Sequence, residues 1–139
     1  MGISAMDHFT VTTDRLDESV AFYIRLGLAQ GPRPDFNVGG AWLYAGGRAV
    51  LHLVEQPVGR MPGARRGVID HIAFAGTGLR DVAEGLRQRD VACTLIRAPR
   101  PFSQWQLFFL DPNGAEVEID FDKDETPPDD WKTWPMRRG

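Results

Sequence analysis

An internal repeat is the feature that most constrains how this chain can fold. The segment Met6–Phe9 resembles Ile69–Ile72, so that His71 follows His8 by 63 residues. The identity between the copies is weak, and the repeat depends mainly on a shared pattern of apolar and polar residues. Such self-similarity predicts two copies of one supersecondary unit that bury a common core.

The repeat extends to the far ends of the two units. Trp105 follows Trp42 by the same 63 residues, whereas Glu118 follows His52 by 66 residues. The change in spacing requires a short insertion in a loop of the second unit.

Each unit has the same predicted order of a strand, a helix and a hairpin. The first unit has a strand over residues 6–12, a helix that ends at Gly27, and strands over 41–45 and 49–55 joined at Gly46–Gly47. The apolar face of its helix is predicted to consist of Leu16, Val20, Tyr23 and Ile24. The Gly- and Pro-rich stretch over 31–40 is predicted to be a loop with one uncertain extra strand.

The second unit follows the same plan. It is predicted to have a strand over 69–75, a helix with the apolar stripe Leu79, Val82, Ala83 and Leu86, and a strand over 92–96. A final hairpin of strands over 105–110 and 115–121 crosses the turn Asp111-Pro112-Asn113-Gly114, in which Pro112 and Asn113-Gly114 are typical turn residues.

The chain therefore divides into a first module over 1–56, a linker over 57–68, a second module over 69–121 and a tail over 122–139. Trp131 and Trp134 in the tail predict that it docks on a surface.

Composition excludes several classes of protein. With 42% hydrophobic and 25% charged residues, the 139-residue chain is an ordinary globular one. A net charge of -3 argues against a general nucleic-acid binder, and no apolar run is long enough for a membrane span. The sequence shows no secretory leader, and Cys93 is its single cysteine, so that we expect a cytoplasmic protein without a disulfide.

Four polar side chains share one facing sense on the predicted strands. Alternate residues of a strand share a face. His8, His52, His71 and Glu118 each oppose apolar neighbours that can pack on the helix of their unit. Three imidazoles and one carboxylate suit a divalent transition metal, and a subset of two histidines and one carboxylate suits non-haem Fe(II). Singly, each residue is better explained as an ordinary strand residue; jointly, they predict a metal site.

These residues resemble a known family. The stretches MDHFTVTTDRLDESVAFYIRLGL, VIDHIAFAG and FFLDPNGAEVEIDF, from about Met6 to Phe121, are similar to the vicinal oxygen chelate superfamily, which includes glyoxalase I, bleomycin-resistance proteins, methylmalonyl-CoA epimerase and extradiol dioxygenases. The resemblance implies an α+β fold of two βαβββ modules. Their strands would form a curved mixed sheet around a central cleft, with the helices on its outer face.

The resemblance also implies residue roles. His8 and His71 match the ligands of the two equivalent first strands, and Glu118 matches the carboxylate of the final strand. His52 falls where relatives have Glu or Gln, so that it is either a fourth ligand or a proton carrier beside the metal. The expected cofactor is one divalent ion of Fe, Mn, Ni, Co or Zn.

The implied activity is that of a metal-dependent enzyme acting on a small vicinal-oxygen substrate. The expected reaction is proton transfer of the lyase, isomerase or epimerase type at a metal-stabilised enolate, with Glu118 as base and His52 as a second candidate. One alternative is an Fe(II) extradiol-type dioxygenase, and another is a resistance or binding protein that sequesters a ligand without turnover. A homodimer is expected. Candidate cleft residues are Trp42, Tyr44, Trp105 and Gln106.

Overall fold

The computed structural model describes residues 1–3, 5–57, 69 and 71–135 of the chain. They form two compact units, one comprising the described residues up to 57 together with Pro112–Gly114, and the other comprising the remaining described residues. The predicted linker, apart from residue 57, lies outside the described residues. Each unit contains one α-helix and one four-stranded mixed sheet, which confirms the predicted α+β class.

The first unit consists of one helix on a sheet of order β1-β4-β3-β2. Its elements are β1 (Phe9–Thr13), α1 (Leu16–Arg25), β2 (Ala29–Gly31), β3 (Gly40–Ala45) and β4 (Arg48–Glu55). β1 runs parallel to β4, and the other neighbours are antiparallel. Leu43, Leu51 and Leu53 are fully buried on the helix side of the sheet, so that His52 lies on the other side.

The predicted apolar face of α1 is partly wrong. The helix buries Ser19 and Tyr23, whereas Ile24 is 45% exposed. Ser19 is buried because its hydroxyl accepts a hydrogen bond from the side-chain amide of Asn113 and lies 3.1 Å from the hydroxyl of Thr13. Hydrophobic periodicity cannot find a helix position that is buried for its hydrogen bonds.

The second unit repeats the plan with a sheet of order β5-β8-β7-β6. Its elements are β5 (Ile72–Ala75), α2 (Leu79–Gln88), β6 (Cys93–Arg97), β7 (Trp105–Leu110), β8 (Glu116–Phe121) and a short 3-10 helix (Trp131–Thr133). β5 runs parallel to β8, as β1 does to β4. Leu79, Ala83 and Leu86 of α2 are buried as predicted.

The first strand of each unit begins later than predicted. β1 starts at Phe9 and β5 at Ile72, so that His8 and His71 directly precede the strands instead of lying within them. The equivalent placement of the two histidines follows from the repeat.

The tail docks on the second unit, as the two tryptophans predicted. Trp131 packs edge-on against Trp105 with ring centroids 5.0 Å apart, and Trp134 is buried. The Glu125 carboxylate accepts hydrogen bonds of 2.8 Å from the backbone N–H groups of Gly78 and Leu79, where α2 begins. No helix in the described part of the chain has the length and apolar character needed to span a bilayer.

Candidate metal centre

A histidine and a carboxylate are paired in the second unit. His71 Nε2 lies 2.7 Å from Glu118 Oε2, and the Glu118 side chain is 5% exposed. Ala73, two residues after His71, is the register partner of Glu118 in the parallel pair β5–β8, so that both side chains lie on the sheet side away from α2. The parallel pairing thus places a nitrogen and an oxygen donor next to each other.

The other carboxylate oxygen of Glu118, Oε1, also accepts a hydrogen bond. Gln106 on β7 donates from Nε2 to Glu118 Oε1 at 2.6 Å. Burial is the main cause that raises the pKa of Glu118, and neighbouring Asp120 raises it further, while His71 and Gln106 oppose the shift. Glu118 is therefore a fixed carboxylate with more basic character than one exposed to solvent.

In the first unit, three rings form a stack. The His8 and His52 rings are nearly parallel with centroids 3.7 Å apart, and the other face of His52 stacks on Trp42 at 4.0 Å. Trp42 and His52 are register partners in β3 and β4, which brings their side chains to the same side of the sheet. His8 Nδ1 hydrogen-bonds Asp7 Oδ2 at 2.6 Å, and this bond lowers the pKa of Asp7.

The stack determines what His52 can do. Imidazole lone pairs lie in the plane of the ring, and the planes of His8 and His52 differ by only 13°. Two imidazoles stacked face to face in this way direct their lone pairs along separate, nearly parallel planes and not towards one common point. In this arrangement His8 and His52 cannot both bind one ion. Burial, and then the nearby His8, lower the pKa of His52, which favours its neutral form.

The remaining predicted cleft residues have other surroundings. The Tyr44 ring lies against Gly31, and its hydroxyl donates a hydrogen bond to the Pro32 carbonyl. Trp105 is adjacent to Gln106 on β7 and therefore faces the opposite side of the sheet, where it packs under Trp131. Trp42 and Gln106 contact proposed site residues, whereas Tyr44 and Trp105 pack against their own unit.

Two carboxylates beside the candidate site, Asp7 and Asp120, were not among the predicted site residues. Asp7 orients His8, and Asp120 lies beside Glu118. The period-two pattern of β8 places Asp120 on the face of Glu118, which is the one signal that could have identified it. Among the described residues, no group of three or more His, Cys, Asp or Glu side chains is assembled for a metal ion.

The sequence matches the family model of the Glyoxalase/Bleomycin resistance protein/Dioxygenase superfamily over residues 5–119, and the chain belongs to this superfamily. This range includes all three histidines and Glu118, and it stops before the tail. No curated protein matches the sequence.

Solved structures share the fold. One is a glyoxalase family protein from Bacillus anthracis, with 23% identity, coverage of 88% of this chain and 98% of the other, and a TM-score of 0.68. Another is a glyoxylase/bleomycin resistance protein/dioxygenase domain from Frankia, with 22% identity, coverage of 87% and 99%, and a TM-score of 0.70. The trypanothione-dependent glyoxalase I of Leishmania major is 22% identical, with coverage of 87% and 88% and a TM-score of 0.64.

Proposed function

We propose that this protein is a divalent-metal-dependent enzyme that acts on a small substrate with two vicinal oxygens, by proton transfer of the lyase, isomerase or epimerase type. His71 and Glu118 are two of the proposed metal ligands, and their pairing at 2.7 Å is the observation that supports the proposal best. His8 is the third proposed ligand, by its equivalence to His71 in the repeat.

The donor chemistry of the second unit fits a metal ion. Its imidazole nitrogen and carboxylate oxygen meet at 2.7 Å, and both are donor types that divalent transition ions bind, so His71 and Glu118 would hold the ion. Gln106 would keep Glu118 oriented from outside the ligand set, which is the role that supporting hydrogen bonds have in metal sites.

His8 fits the same chemistry. Its Nδ1 is hydrogen-bonded to the Asp7 carboxylate, so that Nε2 is the nitrogen that could bind an ion. A carboxylate on the far nitrogen of a ligating histidine sets the tautomer and raises the basicity of the other nitrogen. His52 is stacked between His8 and Trp42, and this favours the alternative in which it is not a ligand.

When bound, the ion would supply Lewis acidity towards the vicinal oxygens of the substrate. Glu118 is the proposed base, because His71 and Gln106 hold its two carboxylate oxygens in fixed positions. His52, whose pKa is lowered, stays neutral near pH 7 and is the proposed second proton carrier. We further propose that the protein is cytoplasmic, which the single Cys93 supports. We also propose that it is a homodimer, which the family resemblance supports.

Metal analysis tests the proposal. Protein purified without added metal should contain about one ion per chain by elemental analysis, and His71→Ala and Glu118→Gln should lose it. His52→Gln is the matched control and should retain the ion. Nickel, cobalt, manganese or zinc would favour proton transfer, whereas iron with oxygen uptake on catechols would favour the dioxygenase alternative. Absence of metal from the wild-type protein, with ligand binding unaffected by His71→Ala, would leave the sequestering protein as the explanation.

A further inference from the structure

A row of side chains in the first unit leads from the proposed ligand His8 to an arginine. The Trp42 ring, which stacks on His52, also contacts the ring of Phe36, with centroids 6.3 Å apart. The Arg33 guanidinium lies 4.9 Å from the centroid of the Phe36 ring. The row of stacked rings therefore ends in a cation.

Arg33 lies on the same side of the first sheet as His52. A Cβ on Gly40, the first residue of β3, would lie 2.9 Å from Arg33 Nη2, whereas the Glu55 carboxylate lies against the preceding residue, Gly39. Glu55 follows His52 by three residues on β4, so that its side chain belongs to the helix side of the sheet. Consecutive residues face opposite sides, which leaves Arg33 on the other one. The charge of Arg33 also contributes to the lowered pKa of His52.

The contacts of Arg33 hold its guanidinium in place. Its Nη2 donates a hydrogen bond of 2.8 Å to the Val38 carbonyl, and the Phe36 ring covers one face of the group. The residue before it is held as well, since the Pro32 carbonyl accepts a hydrogen bond from the Tyr44 hydroxyl. The N–H groups of a guanidinium point outward in its plane, so that a ring on its face leaves them available.

Part of the Arg33 guanidinium is not used by the protein. Nε is buried and Nη2 is bonded to Val38, whereas Nη1 is not among the buried nitrogens and donates to no described group. Arg33 forms no ion pair with any described carboxylate, although Asp35 is close in sequence and Glu55 is close in the sheet. A guanidinium with free N–H groups binds a carboxylate through short, charge-assisted hydrogen bonds.

The other charges on this side of the sheet do not oppose such binding. The ion that the proposed function places on His8 would add positive charge. Asp7, which is hydrogen-bonded to His8, also lies 3.8 Å from the Arg48 guanidinium, so that its negative charge already has two partners. An anionic group of a ligand therefore meets net attraction beside Arg33.

We propose that Arg33 determines substrate specificity by binding a carboxylate group of the substrate. The substrate class is therefore a small organic acid that carries a carboxylate in addition to its two vicinal oxygens. Molecules with a neutral group of the same shape in place of the carboxylate bind more weakly. The inference rests on the proposed function for the vicinal oxygens, but it requires no turnover.

A matched pair of catechols tests this inference. The probes are 3,4-dihydroxybenzoate and 3,4-dihydroxybenzamide, which have nearly the same shape and the same vicinal oxygens and differ in the charge of one group. Binding is measured by titration calorimetry with Zn²⁺-loaded protein, since zinc has no redox chemistry. The wild-type protein should bind the benzoate about tenfold more tightly than the amide, because only the benzoate offers a charged acceptor to Arg33.

Two substitutions separate recognition from support of the loop. Arg33→Gln removes the charge but keeps an amide that can donate to the Val38 carbonyl, and it should abolish the preference for the benzoate. Arg33→Lys keeps the charge without the planar fork and should retain part of the preference. Arg25→Gln, in the last turn of α1, makes the same change at an exposed position and should leave the ratio of the two affinities as in the wild-type protein. Circular dichroism of each variant verifies folding.

Comparing the ratio between variants removes intrinsic differences between the two catechols. A purely structural role of Arg33 would change both affinities together and leave their ratio unchanged. Equal ratios in the wild-type and Arg33→Gln proteins, or binding of neither catechol, with Zn²⁺ still bound, would overturn the role of Arg33 and leave the proposed metal function intact. If the wild-type protein binds no Zn²⁺, the metal function fails. The same titrations with EDTA-treated protein then decide the inference, which requires the benzoate to bind better than the amide, and this difference to shrink in Arg33→Gln; any other result overturns it.

Discussion

Replacement of Asn113 by Ala should destabilise the first unit more than any surface substitution. Asn113 Oδ1 accepts a hydrogen bond of 2.6 Å from the hydroxyl of Thr13, and its Nδ2 donates to the hydroxyl of Ser19 at 2.9 Å. Thr13 and Ser19 are fully buried, and Asn113 is 5% exposed. The substitution therefore removes two buried hydrogen bonds and leaves two hydroxyl groups with fewer partners.

The magnitude follows from these contacts. Two net hydrogen bonds contribute about 1–3 kcal/mol, and buried hydroxyl groups that lose one of their partners cost up to about 1–3 kcal/mol more. Thr13 and Ser19 still contact each other at 3.1 Å, so that the second cost is at the low end. We expect the free energy of unfolding to fall by about 2–4 kcal/mol. At about 3 °C per kcal/mol for a chain of this size, Tm falls by about 6–12 °C.

Urea unfolding followed by circular dichroism measures the change, with the metal removed by EDTA in all samples. Asn37→Ala is the matched control, because Asn37 is exposed and the same chemical change there should cost less than about 0.5 kcal/mol. In a double-mutant cycle, Asn113→Ala and Thr13→Val should show a coupling of about 1 kcal/mol. A loss below about 0.5 kcal/mol for Asn113→Ala, or no coupling with Thr13, would refute the reasoning.

Three further outcomes are expected. Glu125→Ala should cost about 1 kcal/mol in urea unfolding, because it removes the carboxylate that caps α2, whereas Asp124→Ala should cost less. Burial raises the pKa of Cys93 to about 11, so that iodoacetamide at pH 8 should alkylate it slowly in the native protein and rapidly in 8 M urea, as mass spectrometry can show. Equal rates would contradict this. The pKa of His52 is lowered in the folded protein. As the pH falls below the usual value of 6.5, His52 therefore becomes protonated in the unfolded chain at a higher pH than in the folded protein. The stability of the metal-free protein should therefore be complete above about pH 6.5 and decrease as the pH falls towards the lowered pKa. In His52→Gln this decrease should be smaller, and an unchanged profile would exclude His52 as its cause.

The elements were predictable where local chemistry determines them. The turn at Asp111 contains a Pro and an Asn-Gly pair, and the observed strands β7 and β8 flank it within one residue of the predicted bounds. In the turn, Gly114 has a positive φ of 83°, and the Asp111 side chain accepts a hydrogen bond from the backbone N–H of Ala115. Turn residues act over a few positions, so that one sequence suffices to identify them.

The side of the sheet on which Trp105 lies depends on the strand register, which is a long-range feature of the fold. A spacing of 63 residues equates Trp42 with Trp105, but the strand register pairs Trp42 with His52 and Phe108 with Glu118. Trp42 therefore corresponds to Phe108, at a spacing of 66 residues. The insertion precedes the final hairpin of the second unit, and because the strand period is two, a shift of three residues reverses the face.

The interactions of the polar side chains were not predictable from periodicity. Alternation places His52 and Glu118 away from the helices, but it cannot tell whether a histidine stacks, binds a carboxylate or turns to solvent. Those choices depend on neighbours across the strands, such as Trp42 and Gln106, and hence on a register that is known only from the structure.

The two halves of the repeat thus use equivalent positions for different interactions. In the second unit, His71 faces a carboxylate, which lies with its oxygen at hydrogen-bond distance from the imidazole nitrogen. In the first unit, the residue equivalent to Glu118 is His52, which stacks on His8 instead. The aromatic partner differs accordingly, since Trp42 stacks flat on His52 whereas Phe108 meets His71 edge-on. A duplicated module can therefore provide a fixed acid–base pair in one copy and a neutral imidazole in a ring stack in the other. In the proposed chemistry, Glu118 of the second copy is the base and His52 of the first copy is the second proton carrier.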